Sequence, residues 1–325
     1  MAKTFTDLTR QTLTRHALNG PTMGTRWSAL FHAPSGFDPE PVHSAMAAAV
    51  AQVDSQMSTW KPDSALMRLN AAAPDQWAAI PEPLMTVLQA ALEIGRASGG
   101  AFDIAVGDAV TAWGFGPTAA DPAAIRAALG HSRPAAHDAL DLDPRHGLAR
   151  KRAPLTLDLS GIAKGYGVDR LADVAHSFGL NALVAIDGEL RALGTQPDRT
   201  PWTVAIERPN HMTRAAQSIL TLSDAAIATS GDYRHWVTVG DKRLSHTMDP
   251  ARGGPLATSP ASVTVIADTC MMADAWATAL MVAGSGAGAD LARRIGLTAL
   301  FLDRDGDHYR ETRVGNLFNT PSETA

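Results

Sequence analysis

The chain has very little cysteine: one residue, Cys270, among 325. That excludes an internal disulfide and any cysteine-rich zinc site, and it fits a reducing compartment. Long apolar runs are absent too, since no stretch reaches the roughly 18 apolar residues that would cross a bilayer. The first twenty residues, MAKTFTDLTRQTLTRHALNG, hold no apolar segment of the secretory kind. As written, the chain therefore reads as cytoplasmic, or as periplasmic if it is a trimmed form of a longer one. Positive charge is not in excess: 28 Lys and Arg face 33 Asp and Glu, a formal net charge of -5. A general nucleic-acid binder would carry a basic face instead. No fixed-period repeat stands out.

What is present is ordinary for a folded protein, with 45% apolar and 19% charged residues. The length allows about two domains or one large one. Residues 1–20 read as an N-terminal lead-in, 21–318 as the folded domain, with room for two subdomains around a site, and 319–325 as a C-terminal tail. Residues 26–32 alternate like a strand. Residues 41–57 and 82–98 carry apolar residues at helical spacing, the second closed by Gly99 and Gly100. Residues 117–150, rich in Pro, Asp and Ala, read as a variable surface segment with a helix near 122–129. Residues 153–160 read as a strand, 161–167 as a turn, and GVDRLADVAHSFG as an amphipathic helix. The runs 182–186 and 202–207 suit strands of one sheet, 261–267 is another strand, and 268–283 an apolar helix. Strands and helices mix without βα alternation, which predicts an α+β fold with a largely antiparallel sheet packed with helices.

Four segments hold residues with chemistry. In LDLSGIAKGYGVD, residues 157–169, glycines let the backbone approach a ligand, and Lys164 puts a positive charge where a phosphate could sit. In ADAWATAL, residues 273–280, Asp274 and Thr278 are four apart and share a helix face. A carboxylate beside a hydroxyl suits a hard cation such as magnesium. In LSHTMDPARGGP, residues 244–255, a turn framed by Pro250, Gly253 and Gly254 follows His246, the side-chain type that carries protons near neutral pH. In GPTMGTRW and MSTWKPDSALMRLN, Met23 and Trp60 offer apolar faces to a flat ring. Each segment alone also has a plain structural reading: a solvated lysine, a capping aspartate, a histidine bonded to a turn carbonyl, a core methionine and a core aromatic.

Taken in order, PTMGT, MSTWKPDSALMRLN, GGAFDIAVG with WGFGP, LDLSGIAKGYGVD, SGDYRHW, LSHTMDP and ADAWATAL resemble the ApbE family of FAD:protein FMN transferases. They run from residue 21 to about 284. The resemblance implies an ApbE-like, T-fold-related architecture. It places Met23, Trp60, Ala101, Phe102, Asp103, Asp158, Lys164 and Met248 on positions that line FAD, with Trp60 where many members have tyrosine. It implies a magnesium site made by the Gly161 carbonyl with Asp274 and Thr278. His246, with Asp274, falls on the catalytic positions beside the reacting phosphate. The implied reaction moves FMN from FAD onto a threonine or serine of an acceptor flavoprotein and releases AMP. With water as acceptor the same site would be an FAD pyrophosphatase. A non-catalytic FAD-binding protein is a third reading, against which Asp274, Thr278 and His246 stand together. Two features depart from the pattern. Asp187-Gly188-Glu189 stands where many members have Gly-Gly, and a carboxylate there could bond ribose, sit near the metal or merely occupy a turn. Many members also carry an export or lipoprotein signal, which this sequence does not show.

Overall fold

The computed structural model describes residues 12–316, apart from 131–132, 211–214, 234–235, 240–241 and 307. Its frame is an eight-stranded sheet of β1 (Leu13–Thr22), β2 (Thr25–Pro34), β3 (Ala182–Ile186), β4 (Glu189–Leu193), β5 (Ala225–Gly231), β6 (Ser262–Ala267), β7 (Thr298–Asp305) and β8 (His308–Val314). The strands lie in that spatial order and every neighbouring pair is antiparallel. The helices are α1 (Glu40–Met57), α2 (Ala65–Ala71), α3 (Glu82–Ala97), α4 (Gly107–Ala112), α5 (Pro122–Gly130), α6 (Ala136–Ala139), α7 (Ala163–Ser177), α8 (Cys270–Ala283) and α9 (Ser285–Ile295). This is the α+β, largely antiparallel fold that the sequence predicts.

Successive strand side chains point to opposite faces, and here both faces are covered. Ala182, Val184, Ile186 and Ala226 pack with Val168, Leu171 and Ala175 of α7 and with Val42, Met46 and Val50 of α1. Val263, Val265, Ala299 and Phe301 continue that face beneath Ala273, Ala277 and Leu280 of α8. The alternate residues Leu183, Ile227, Ile266, Leu300 and Leu302 face the other way, onto Trp202, Val204, Ile206, Leu220 and Leu222.

Four local expectations need correcting. Residues 13–20, read as part of a lead-in, are the body of β1. This edge strand has a weak apolar signal because it is half solvated. Its inward residues include His16, stacked on Phe31, and Gly20, paired with Trp27. The run 202–207 is a strand, but it pairs with 216–222 in a separate two-stranded ladder that covers the sheet's second face. An apolar run states burial and does not name its partner. Residues 154–159 are extended without a strand ladder. The Asn70 side chain takes a strand partner's place, donating to the Leu157 carbonyl at 2.9 Å and accepting from its amide at 2.8 Å.

The fourth correction concerns 161–167. Helix α7 begins at Ala163, so Gly165 and Gly167 lie inside it. Both are sites of close approach and not of unusual backbone conformation. A Cβ at 165 would sit 2.4 Å from the Cys270 carbonyl oxygen and 2.7 Å from the Asp274 Cβ. Gly165 thus sets how closely α7 and α8 cross. Gly165→Ala forces the helices apart and should cost about 1–3 kcal/mol. Urea unfolding should show a lowered midpoint with an unchanged slope.

Candidate functional site

The site is built where α7 crosses α8. Asp169 of α7 accepts the amides of Cys270 and Met271, each at 2.9 Å. Those amides open α8, and an exposed helix N-terminus leaves such donors without intrahelical partners. Arg191 of β4 holds the Asp169 carboxylate at 2.7 Å. This tether brings the next turn of α8, with Asp274, against Gly165.

The Gly165 amide donates to the Asp274 Oδ2 at 2.9 Å. In a continuous helix it would donate to the carbonyl four residues back, that of Gly161. No hydrogen bond to the Gly161 carbonyl is found among the described residues. Thr278 lies one turn beyond Asp274. Its hydroxyl is 3.1 Å from the Ser230 hydroxyl and 3.1 Å from where a Cβ on Gly161 would sit. Asp274, Thr278 and Gly161, whose carbonyl has no hydrogen bond among the described residues, therefore lie at one corner. Asp274 is 5% exposed. Burial, and next the neighbouring Glu189 carboxylate, push its pKa up to about 7, against the opposing pull of Lys164. A buried carboxylate short of positive charge, beside two neutral oxygen donors, fits a hard divalent cation.

Lys164 lies in the first turn of α7 and donates to the Glu189 Oε1 at 2.6 Å. Burial works against its charge, but Glu189 and then Asp274 outweigh burial and hold the ammonium above its usual range. The other Glu189 oxygen, Oε2, is buried without a hydrogen-bond partner. Glu189 opens β4 directly after the two-residue Asp187–Gly188 turn, paired across it with Ile186. Asp187 is exposed and holds a left-handed φ of 54°.

The remaining expected residues fall in three places. Met23 and Phe102 border the helix crossing: a Cβ on Gly167 would meet the Met23 Cε at 2.9 Å, and one on Gly161 would meet the Phe102 ring at 3.3 Å. Ala101, Asp103 and Asp158 belong to the loops beside it. The Asp103 carboxylate accepts the amides of Ala105 and Ala136 at 2.8 and 3.1 Å, so it ties its own loop to α6. Asp158 is buried, accepts the Ser160 amide at 2.8 Å, and has its pKa raised by that burial. Met248 packs with Ala109 and Trp113, and the His246 ring stands edge-on to Phe115 with centroids 6.3 Å apart. This second patch joins the first through the chain: the Gly107 amide bonds Thr156, and the Asp158 amide bonds Ile104. Trp60 is 64% exposed on the connection between α1 and α2, next in chain to a cleft of about 690 Å³ along Ser55, Lys61 and Arg68.

Sequence reasoning missed Asp169 and Ser230 and left the role of Glu189 open. Asp169 and Ser230 act through partners far away in the chain. Glu189 carries only a partial signal, an acid that opens a short strand directly after a turn and does not name its partner.

Solved structures match the fold over nearly the whole chain. The chain superposes on the flavin transferase ApbE from Vibrio cholerae with a TM-score of 0.81 at 34% identity, covering 94% of this chain and 98% of that one. The apo flavinyl transferase ApbE of Pseudomonas stutzeri gives 0.81 at 33% identity, covering 93% and 95%. A protein named FAD:protein FMN transferase from Klebsiella pneumoniae (strain 342) is 35% identical over 306 residues, 91% of this chain and 87% of its own length. Fold and relatives thus define a group-transferring enzyme. The profile of the ApbE family matches residues 23–301, and the chain belongs to that family.

The exposure of Trp60 separates a ligand contact from a core contact. Trp60→Ala should leave the melting of the free protein within about 0.5 kcal/mol of wild type. We propose that Trp60 meets FAD, in which case the variant's FAD affinity should fall by about 1–3 kcal/mol, the loss of a large apolar contact. Both are read on the same variant, by thermal melting and flavin fluorescence titration.

Proposed function

We propose that this chain transfers the FMN half of FAD to a threonine or serine hydroxyl of an acceptor flavoprotein, with magnesium bound, and releases AMP. The observation that carries the proposal is the grouping of Gly161, Asp274 and Thr278 around the start of α7, where Lys164 sits next to Gly165. The names of the relatives support the same reading.

Gly161, Asp274 and Thr278 would hold the cation. Bound there, magnesium would neutralise charge that builds on the phosphate oxygens as the anhydride breaks. Lys164 supplies a second, fixed positive charge to the same oxygens, held in place by Glu189 before substrate arrives. Such preorganised charge acts on the transition state without reorganising during the reaction. Met23, Phe102 and Trp60 supply apolar faces for the flavin and adenine rings. Ala101, Asp103, Asp158 and Met248 line the rest of the FAD path. The acceptor oxygen bonds to the FMN phosphorus, the bond from that phosphorus to the AMP oxygen breaks, and His246 takes the hydroxyl proton.

Incubation with FAD, magnesium and a flavoprotein that carries threonine-linked FMN, followed by intact mass, tests the reaction. The expected result is a gain equal to FMN on the acceptor and none on its Thr→Ala variant. FMN and AMP formed at the same rate without acceptor would instead make the enzyme a hydrolase, and FAD left intact would make it a binder.

Two substitutions test the roles. Asp274→Asn keeps an acceptor for the Gly165 amide but removes the charge. Turnover should fall about 10²–10³-fold, the scale of losing one electrostatic stabiliser, while FAD binding changes far less. A histidine base works only when neutral, so protonating it should give the pH–rate profile an acid limb. His246→Asn should lower turnover and flatten that limb, and an unchanged limb would assign the proton to another group.

A further inference from the structure

Three charges share the buried corner at the start of α7. The Lys164 ammonium lies 2.6 Å from the Glu189 Oε1, and Asp274 also acts on it electrostatically. The Asp274 carboxylate receives the amide of Gly165, the residue next to Lys164. Two carboxylates thus compete for one ammonium, and Glu189 has it. Lysine is a point charge on a flexible stem with three donors, free to pair with whichever carboxylate is nearer. An ammonium paired with Asp274 would take the lone pairs that a cation needs there.

Glu189 is placed for this restraint. Its side chain is 5% exposed, and Oε2 is buried with no partner. Burying an ion pair so incompletely satisfied is a poor way to gain stability, because desolvation offsets most of the attraction. The backbone that carries the pair is itself fixed: Asp169 and Arg191, five residues along α7 and two along β4, form a second ion pair of opposite polarity at 2.7 Å.

We propose that Glu189 is a positioning residue that holds Lys164 away from Asp274 and so keeps that carboxylate open to the divalent cation. The proposal rests on the metal set assigned above. It also accounts for the Asp187-Gly188-Glu189 stretch: Asp187 only shapes the turn, and Glu189 is the working acid.

The test is magnesium binding to the full-length protein without FAD, by calorimetry, for wild type, Glu189→Gln, Lys164→Met and the double variant. Wild type should bind. Glu189→Gln should bind at least tenfold more weakly, and the double variant should return to within about threefold of wild type, because the competing ammonium is gone. A crystal structure of the metal-free Glu189→Gln protein should show the Lys164 Nζ within hydrogen-bonding reach of Asp274. If Glu189→Gln binds magnesium as wild type does, or Nζ stays away from Asp274, the positioning role is overturned and the metal set stands. Wild type that binds no magnesium overturns the metal set itself, and the proposal with it. If Glu189→Gln does not fold, Glu189→Asp replaces it, with weaker binding again expected and unchanged binding again fatal.

Discussion

One hydrogen bond, from the Gly165 amide to the buried Asp274 carboxylate, sets the geometry on which the site depends. It requires α7 and α8 to cross so closely that only glycine fits at 165. It takes the amide that would otherwise bond the Gly161 carbonyl, so that this carbonyl is left without a hydrogen bond among the described residues while Gly161 itself lies against Thr278. It also keeps a carboxylate buried where its charge is costly without a cation. The sheet, the capping of α8 by Asp169 and the Arg191 ion pair all hold that crossing in place.

The cost of this arrangement is visible in the polar groups of the interior. Asp158 and Asp274 are buried carboxylates with raised pKa values, and Glu189 keeps an oxygen without a partner. None of these improves a core, and apolar residues of similar size would pack there without the desolvation cost. Groups of this kind cluster where a charge must be met or moved. They lie around the start of α7, while the hydrophobic faces of the sheet are satisfied elsewhere.

Much of the architecture was legible in the sequence because its signals are local. The apolar periods of α1, α3 and α8 and the alternation of β2 and β6 mark those elements within about two residues. The spacing of Asp274 and Thr278 placed both on one face of α8, and the structure brings Gly161 to them. The failures share a different cause. Residues 154–159 look like a strand because Leu155, Leu157 and Leu159 are buried, but the partner is the amide of Asn70, 87 positions away in the chain. Gly165 and Gly167 look like a turn because glycine permits one, whereas both lie inside α7, where close packing on the α8 backbone requires glycine at 165 and the tips of Ile186 and Met23 crowd 167. Periodicity reports which side of an element is buried and says nothing about what buries it, so Asp169, Ser230 and Glu189 could be assigned only with the fold in hand.

The most direct measurement is the location of a divalent cation in a crystal of the protein grown with manganese and FAD. The account predicts an anomalous peak within direct bonding distance of the Gly161 carbonyl, the Asp274 carboxylate and the Thr278 hydroxyl, with Lys164 still on Glu189. A peak bound elsewhere, with Asp274 left to Lys164 or to a proton, would contradict it.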